Sequence, residues 1–224
     1  MQILGWIGRG VFALLGLLLA ADVAGVLYLA LTHRLTVTPG EATTLMWNTW
    51  LVSWIAAMLW SRQVAARPPL RDELMHWTPT VVGAGLLWFG SAATHFTPLW
   101  RTSDAAAWGL SAVCGAGLLF TWWARVSLGS LWSGSVSRKQ DHAVVQGGPY
   151  RLVRHPIYTG LIVAAFASAA VVGQTANLAG AALMTLGFWL KARLEERFLS
   201  QQLGPAAYND YRRRTPMLVP FWPA

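Results

Sequence analysis

A single cysteine, Cys114, in a chain of 224 residues excludes an internal disulfide framework and any zinc site built on several thiolates. Charge is also scarce. Asp, Glu, Lys and Arg make up 12% of the chain, about half of the roughly 25% usual in a soluble domain. Acidic residues are the rarer sign, nine against 17 Lys and Arg. What fills the space is apolar: 55% of residues, including 14 Trp, with a mean hydropathy of +0.43. That composition excludes a disordered chain, which is poor in apolar residues. A net charge of +8 and a pI near 10.6 raise the question of nucleic acid. The basic residues sit between apolar stretches and not on one polar face, so nucleic acid is not expected as a partner. An all-α, polytopic integral membrane protein surrounded by lipid is what these numbers leave.

Spanning the hydrocarbon takes roughly 20 predominantly apolar residues in a helix. Six stretches approach that length: about Val11–Leu31, Thr44–Trp60, Thr80–Leu99, Ala105–Ala124, Ile157–Gly173 and Ala176–Leu190. Only Gln174 and Thr175 separate the last two, which reads as a tight helical hairpin. Arg9 ahead of an apolar run is signal-peptide-like, but the run continues to Leu31, too long for an h-region, and predicts a retained span. With six spans, 15 of the 17 Lys and Arg fall on one side, leaving Arg34 and Arg101 on the other. This asymmetry predicts an inner, cytoplasmic-membrane protein with both termini in the cytoplasm.

Ionisable groups within spans are functional candidates by default. Asp22 and His95 have no partner at helical spacing and read as buried packing groups ahead of a proton or ion relay. Gly83-x-Gly85 and Gly115-x-Gly117 read as sites of close helix approach, and Cys114 as a small apolar filler. A transporter is expected to show broken or repeated helices, and none is visible. A non-enzymatic transporter or assembly protein, with basic loops serving topology alone, is the competing class.

Chemistry-bearing residues concentrate in Lys139–Gly160, KQDHAVVQGGPYRLVRHPIYTG. Gly147-Gly148-Pro149 predicts a turn, and His155-Pro156 places proline at the first position of the fifth helix. His142, Tyr150, Arg151, Arg154, His155 and Tyr158 thus gather where a loop enters the membrane. A basic, aromatic anchor explains the Arg and Tyr residues but not the Gly-Pro and His-Pro spacing. A second cluster, Lys191-Ala-Arg193-Leu-Glu195-Glu196-Arg197, lies at the cytoplasmic end of the sixth span. It reads either as a solvated helix end with a Lys191–Glu195 pair or as two carboxylates available to amine and hydroxyl donors of a polar ligand. Helix should continue from Glu195 to Leu203, with Gly204-Pro205 as its stop. Phe221 and Trp222, in a Pro-rich end, are expected at the membrane interface.

GPYRLVRHPIYTG followed by RLEERFLSQQLGPAAYNDYRRRTPMLVP resembles the isoprenylcysteine carboxyl methyltransferase family. That family shares its cofactor-binding half with the membrane phospholipid methyltransferases, the NnrU-like proteins and the methanethiol S-methyltransferases. The likeness covers roughly Leu128–Pro220; residues 1–120 match more weakly. Where the small-thiol branch has Gln-His-Ser, this chain reads Trp60-Ser61-Arg62. The resemblance implies a membrane enzyme that transfers methyl from S-adenosylmethionine, with no metal. Its acceptor would be the carboxylate of a prenylcysteine-like or other lipophilic molecule; a phospholipid amine or a small thiol fits the same cofactor half. It further implies that His142, Ala143, Val144 and Val145 line the adenosine. Tyr150, His155, Pro156, Ile157 and Tyr158 would add cofactor contacts, and Glu195 resembles the cofactor-binding glutamate, with Glu196 the alternative one residue on. Lys191 or Arg193 would lie near the substrate. An Arg suits a carboxylate acceptor through its planar fork, and His155 or a glutamate would take a proton from an amine or thiol. Residues 1–124 would then form a four-helix portion on the substrate side, and 125–224 the cofactor-binding portion.

Overall fold

The structure, a computed structural model, describes residues 20–21, 23–25, 27–28, 31–32, 37–57, 64–66, 69–93, 98–129, 132, 138–139, 145–203 and 205–222. Most of the first expected span, Asp22, His95 and the stretch His142–Val144 lie outside them. Regular secondary structure among the described residues is helical apart from one short antiparallel pairing, β1 (Val64–Ala66) with β2 (Arg138–Lys139). This pairing is the one departure from the all-helical expectation. The chain divides into two compact units, Met1–Trp60 and Ser61–Ala224.

In the first unit, α1 spans Pro39–Ala57. Its start is a capping box: the Glu41 carboxylate accepts from the Thr38 backbone N–H and hydroxyl, both at 2.8 Å, and the Glu41 N–H donates to the Thr38 hydroxyl at 3.3 Å. Trp50 stacks on Trp54 at 4.7 Å and meets Trp47 edge-on at 5.8 Å. These tryptophans, at helical spacing, contact one another along the helix.

The second unit holds α2 (Leu70–Ala93), α3 (Asp104–Leu128), α4 (Pro156–Val172), α5 (Thr175–Leu203) and α6 (Pro205–Arg214). Helix α2 begins ten residues before the expected span at Thr80. The Pro69 carbonyl accepts from the Asp72 and Glu73 N–H groups, the two acids complement the dipole of the first turn, and Pro79 is carried inside the helix. Ser103 caps α3 through its hydroxyl. The α4–α5 hairpin appears as expected: Gly173, with φ of 71°, ends α4, and α5 starts at Thr175. Its 29 residues run through Leu203, and Pro205 opens the next helix.

Glycines set the helix crossings. A Cβ on Gly83 would lie 2.6 Å from the Gly180 carbonyl oxygen, and one on Gly187 would run into Thr80 and the His76 carbonyl. Leu87 and Gly90 of α2 likewise meet Gly180 and Ala176 of α5, so the two helices run antiparallel with Glu73 and His76 toward the Lys191–Glu195 end. Gly117 of α3 meets Gly160 of α4, and the Cys114 thiol lies 3.5 Å from the Ser168 hydroxyl across the same contact. The close approach read from the Gly-x-Gly pairs thus belongs to Gly83 and Gly117. Gly85 has open space around it.

The antiparallel packing brings Leu70, Leu128, His155 and Lys191 to one end of the unit. At the other end the Leu99 N–H donates to the Gly173 carbonyl, and the Trp100 indole and Thr102 hydroxyl to that of Ala170. Outward faces carry large apolar side chains, among them Phe89, Leu119, Trp123 and Val126, an arrangement suited to lipid. Among the described residues, α3 alone is long and apolar enough to cross a membrane; α4 is apolar but shorter.

Candidate functional site

The site forms where the N-terminus of α4 meets the last turns of α5. Gly147-Gly148-Pro149 makes the expected turn, a 3₁₀ segment over Gly148–Arg151 with Gly148 at φ of 59°. Arg154 and His155 follow, and Pro156 takes the first helical position. This segment is clamped from the C-terminal side. The N–H groups of Arg154 and His155 donate to the Pro216 and Met217 carbonyls at 2.8 and 3.1 Å, and the Thr159 hydroxyl donates to the Leu218 carbonyl. The Tyr211 hydroxyl donates to the Tyr150 carbonyl at 2.7 Å. Burial raises both phenol pKa values, so the two tyrosines stay neutral.

Glu196 is buried and fully engaged. Its Oε1 accepts from Arg154 Nε at 2.7 Å and faces His155 Nε2 at 3.2 Å; its Oε2 faces Arg154 Nη2 at 3.4 Å and Arg212 Nε at 3.3 Å. Arg154 also donates to the carbonyls of Arg212 and Thr215. Four donors exhaust the acceptor capacity of one carboxylate. Burial alone would raise the Glu196 pKa, but the hydrogen bonds from His155 and Arg154 outweigh it and hold it at about 2.

Glu195, one residue earlier, has a different environment. Its Oε1 accepts from the Tyr158 hydroxyl at 2.6 Å and its Oε2 lies 3.4 Å from His155 Nδ1, while its side chain stays 20% exposed. Two partners leave lone pairs for an incoming donor. Burial works against its charge, yet the His155 hydrogen bond and the Lys191 charge lower its pKa. His155 has one ring nitrogen toward each glutamate, an arrangement that only the imidazolium satisfies with two donors. Burial opposes that charge, but the two carboxylates win and the His155 pKa is raised. The ring stacks beside Tyr158, which stacks in turn beside Phe188, both at 5.5 Å.

Lys191 and Arg193 go different ways. Lys191 Nζ sits 5.4 Å from the Tyr158 ring centre and 5.7 Å from that of Trp77, on the α5 face that bears Glu195. Burial lowers its pKa, opposed by the charges of Glu195 and Glu73. Arg193 is exposed, its guanidinium over Trp189 at 4.8 Å. Of the remaining expected site residues, Tyr150 and Pro156 are buried, and Val145 and Ile157 half-buried.

Several members of this site escape a reading of motifs alone. Tyr211 and Arg212 lie in the C-terminal motif, but that motif does not say that α6 brings them to Tyr150 and Glu196; Phe188 comes from one turn before Lys191. His76, Trp77 and Glu73 come from α2, more than a hundred residues away in sequence. Their only sequence signal is that Glu73, His76, Thr80, Gly83, Leu87 and Gly90 alternate by three and four, marking one helix face.

Residues 110–201 match the model of the isoprenylcysteine carboxyl methyltransferase (ICMT) family. Methanethiol S-methyltransferase 2 of Bradyrhizobium diazoefficiens is 34% identical over 133 residues, 55% of this chain and 50% of that protein. The cobalt-zinc-cadmium resistance protein CzcN of Cupriavidus metallidurans is 33% identical over 99 residues, 42% of this chain and 44% of its own. Protein-S-isoprenylcysteine O-methyltransferase of Schizosaccharomyces pombe is 31% identical over 90 residues, 38% of this chain and 36% of its own. The chain thus spans half or less of the length of these curated relatives. The resemblance to the ICMT family is carried by residues 110–201, the segment that holds Arg154, His155, Tyr158, Lys191, Glu195 and Glu196.

Proposed function

We propose that the chain is a membrane S-adenosylmethionine-dependent methyltransferase acting on the carboxylate of a lipophilic, prenylcysteine-like acceptor. The observation that carries the reading is the state of Glu195: ionised, anchored by Tyr158 and His155, and still partly open with spare acceptor capacity. S-Adenosylmethionine, when bound, supplies an electrophilic sulfonium methyl group. The donor set here fits it, since a carboxylate with free lone pairs suits a cation carrying amine and hydroxyl donors.

In this reading Glu195 binds the donor, and His142, Ala143, Val144, Val145 and Tyr150 complete its pocket. Glu196 holds Arg154 and Arg212 and thereby the turn from which His155 projects. His155, as an imidazolium between two carboxylates, orients Glu195 and has no lone pair with which to take a proton. Tyr158 fixes the Glu195 carboxylate with its hydroxyl. Lys191 orients the acceptor carboxylate, which needs no deprotonation; Arg193, turned outward over Trp189, anchors the helix end. Methyl transfer is then accelerated by positioning and electrostatics. Basic residues Arg71, Arg125, Arg154 and Lys191, close to one end of their helices, would face the cytoplasm of an inner membrane, together with both chain termini.

A small-thiol acceptor is the second reading, supported by the 133-residue likeness to methanethiol S-methyltransferase 2. A phospholipid amine fits the same donor half. Thermal shift with S-adenosylhomocysteine in detergent micelles tests the shared step. The wild-type protein should be stabilised and Glu195→Gln should lose most of that stabilisation. Absence of a shift at saturating ligand in the wild type would favour a transporter or assembly protein.

A further inference from the structure

His76 has a buried ring with one nitrogen left unpartnered. Its side chain lies on α2, facing the Lys191 turn of α5, and the residue is 2% exposed. Nε2 has no hydrogen-bond partner, and neither does Glu73 Oε1 one turn earlier on the same face. A buried polar atom without a partner is costly and rare in folded chains. The unpartnered Nε2, on the face toward Lys191 and the partly open Glu195, marks a donor position awaiting a ligand.

The electrostatics fix the form of that ring. Burial lowers the His76 pKa, the Lys191 charge lowers it further, Glu195 opposes both, and the result is about 4. His76 is therefore neutral at ordinary pH, and its Nε2 carries either a proton to donate or a lone pair. The Trp77 ring lies 5.6 Å from the imidazole and within 5.7 Å of Lys191 Nζ, so indole, imidazole and ammonium converge on one region between α2 and α5.

We propose that His76 is an acceptor-binding residue whose Nε2–H donates to one oxygen of the methyl acceptor's carboxylate while Lys191 holds the other. This rests on the methyltransferase reading and extends it to α2, the helix that the cofactor motifs do not reach. Two donors on two helices hold a planar carboxylate at both oxygens, as one flexible ammonium cannot. A thiol offers one weakly accepting sulfur and no oxygen, and gains little from the pair.

The test uses the detergent-solubilised full chain with an S-prenylated cysteine carboxylate as acceptor, and compares wild type with His76→Leu and His76→Gln. S-Adenosylhomocysteine affinity should be the same in all three. The stabilisation produced by the acceptor alone, without donor, should vanish in His76→Leu and return in His76→Gln, whose amide N–H can reach the same oxygen. Turnover per acceptor should fall roughly tenfold to a hundredfold in His76→Leu, the span of one hydrogen bond to a charged group, and recover at least in part in His76→Gln. If His76 serves packing alone, His76→Leu removes an orphaned polar atom, raises the Tm and leaves acceptor binding untouched; that result overturns the proposal. A wild-type protein that fails to bind S-adenosylhomocysteine overturns instead the methyltransferase reading beneath it.

Discussion

Replacing Glu196 by Gln keeps the shape of the side chain and removes the charge on which Arg154, His155 and Arg212 converge. Two estimates of the cost agree. A carboxyl drawn from 4.5 to about 2 favours the charged folded state by roughly 3 kcal/mol. Breaking one partner of a buried ion pair costs about 3–5 kcal/mol. In a unit of this size each kcal/mol moves the Tm by about 2–4 °C, so Glu196→Gln should melt roughly 10 °C below wild type. The pH dependence carries a sign as well. A depressed carboxyl contributes stability that is complete above its unfolded value of 4.5 and is lost as pH falls toward 2. The raised His155 pKa acts in the opposite sense: its contribution is full below the ordinary 6.5 and fades as pH rises through the folded value. Wild-type Tm should therefore fall steeply between about pH 4.5 and 3, and the variant curve should be flatter there. Tryptophan fluorescence during thermal unfolding in micelles reads both. A variant melting within 2 °C of wild type, with the same acid slope, would refute the assignment of Glu196 as the hub of the network.

Lys191→Met should abolish most turnover while Arg193→Met stays near wild type, because one cation faces Tyr158 and Trp77 and the other lies outward over Trp189; equal losses in an initial-rate assay would contradict that division. Gly187→Ala should lower the Tm by several degrees, since its Cβ would collide with Thr80 and the His76 carbonyl, whereas Gly109→Ala, with nothing within 4 Å, should leave it unchanged or higher. Single cysteines at Ser103 and Arg151, in a Cys114→Ser background, sit at opposite ends of the helices that pack together in the second unit. An impermeant thiol reagent should label them from opposite faces of the membrane, and labelling of both from one face would overturn the topology.

Much of the site was legible because it is local in sequence. Gly147-Gly148-Pro149 and His155-Pro156 dictate backbone geometry through residues with few alternatives, and both lie where the spacing put them. Glu195 and Glu196 were legible as a pair but not as individuals. Adjacent residues on a helix point about 100° apart, and only the packing of α4 and α6 decides which one is consumed by Arg154 and Arg212. The same geometry separates Lys191 from Arg193. Their roles turn on which face of α5 lies against α2, information held in Gly83, Gly180 and Gly187 and not in the charges. The early start of α2 was hidden by Pro79, an ordinary helix breaker that this helix carries internally. His76 is not legible for a related reason: a lone histidine before an apolar span has no local partner, and its neighbours come from a helix more than a hundred residues later. Six spans were read from hydropathy, and among the described residues one helix meets that criterion outright.

The central claim is methyl transfer to a lipophilic acceptor, and a radiolabel assay addresses it directly. Purified protein in micelles is incubated with methyl-labelled S-adenosylmethionine and, in parallel, an S-prenylated cysteine carboxylate, an aminophospholipid and a small thiol. The account predicts label in the prenylcysteine product as a base-labile ester, with Lys191→Met and Glu195→Gln both strongly reduced. Label appearing only in the thiol or the phospholipid would contradict the carboxylate acceptor, and no transfer to any of the three from a protein that also fails to bind S-adenosylhomocysteine would contradict the methyltransferase itself.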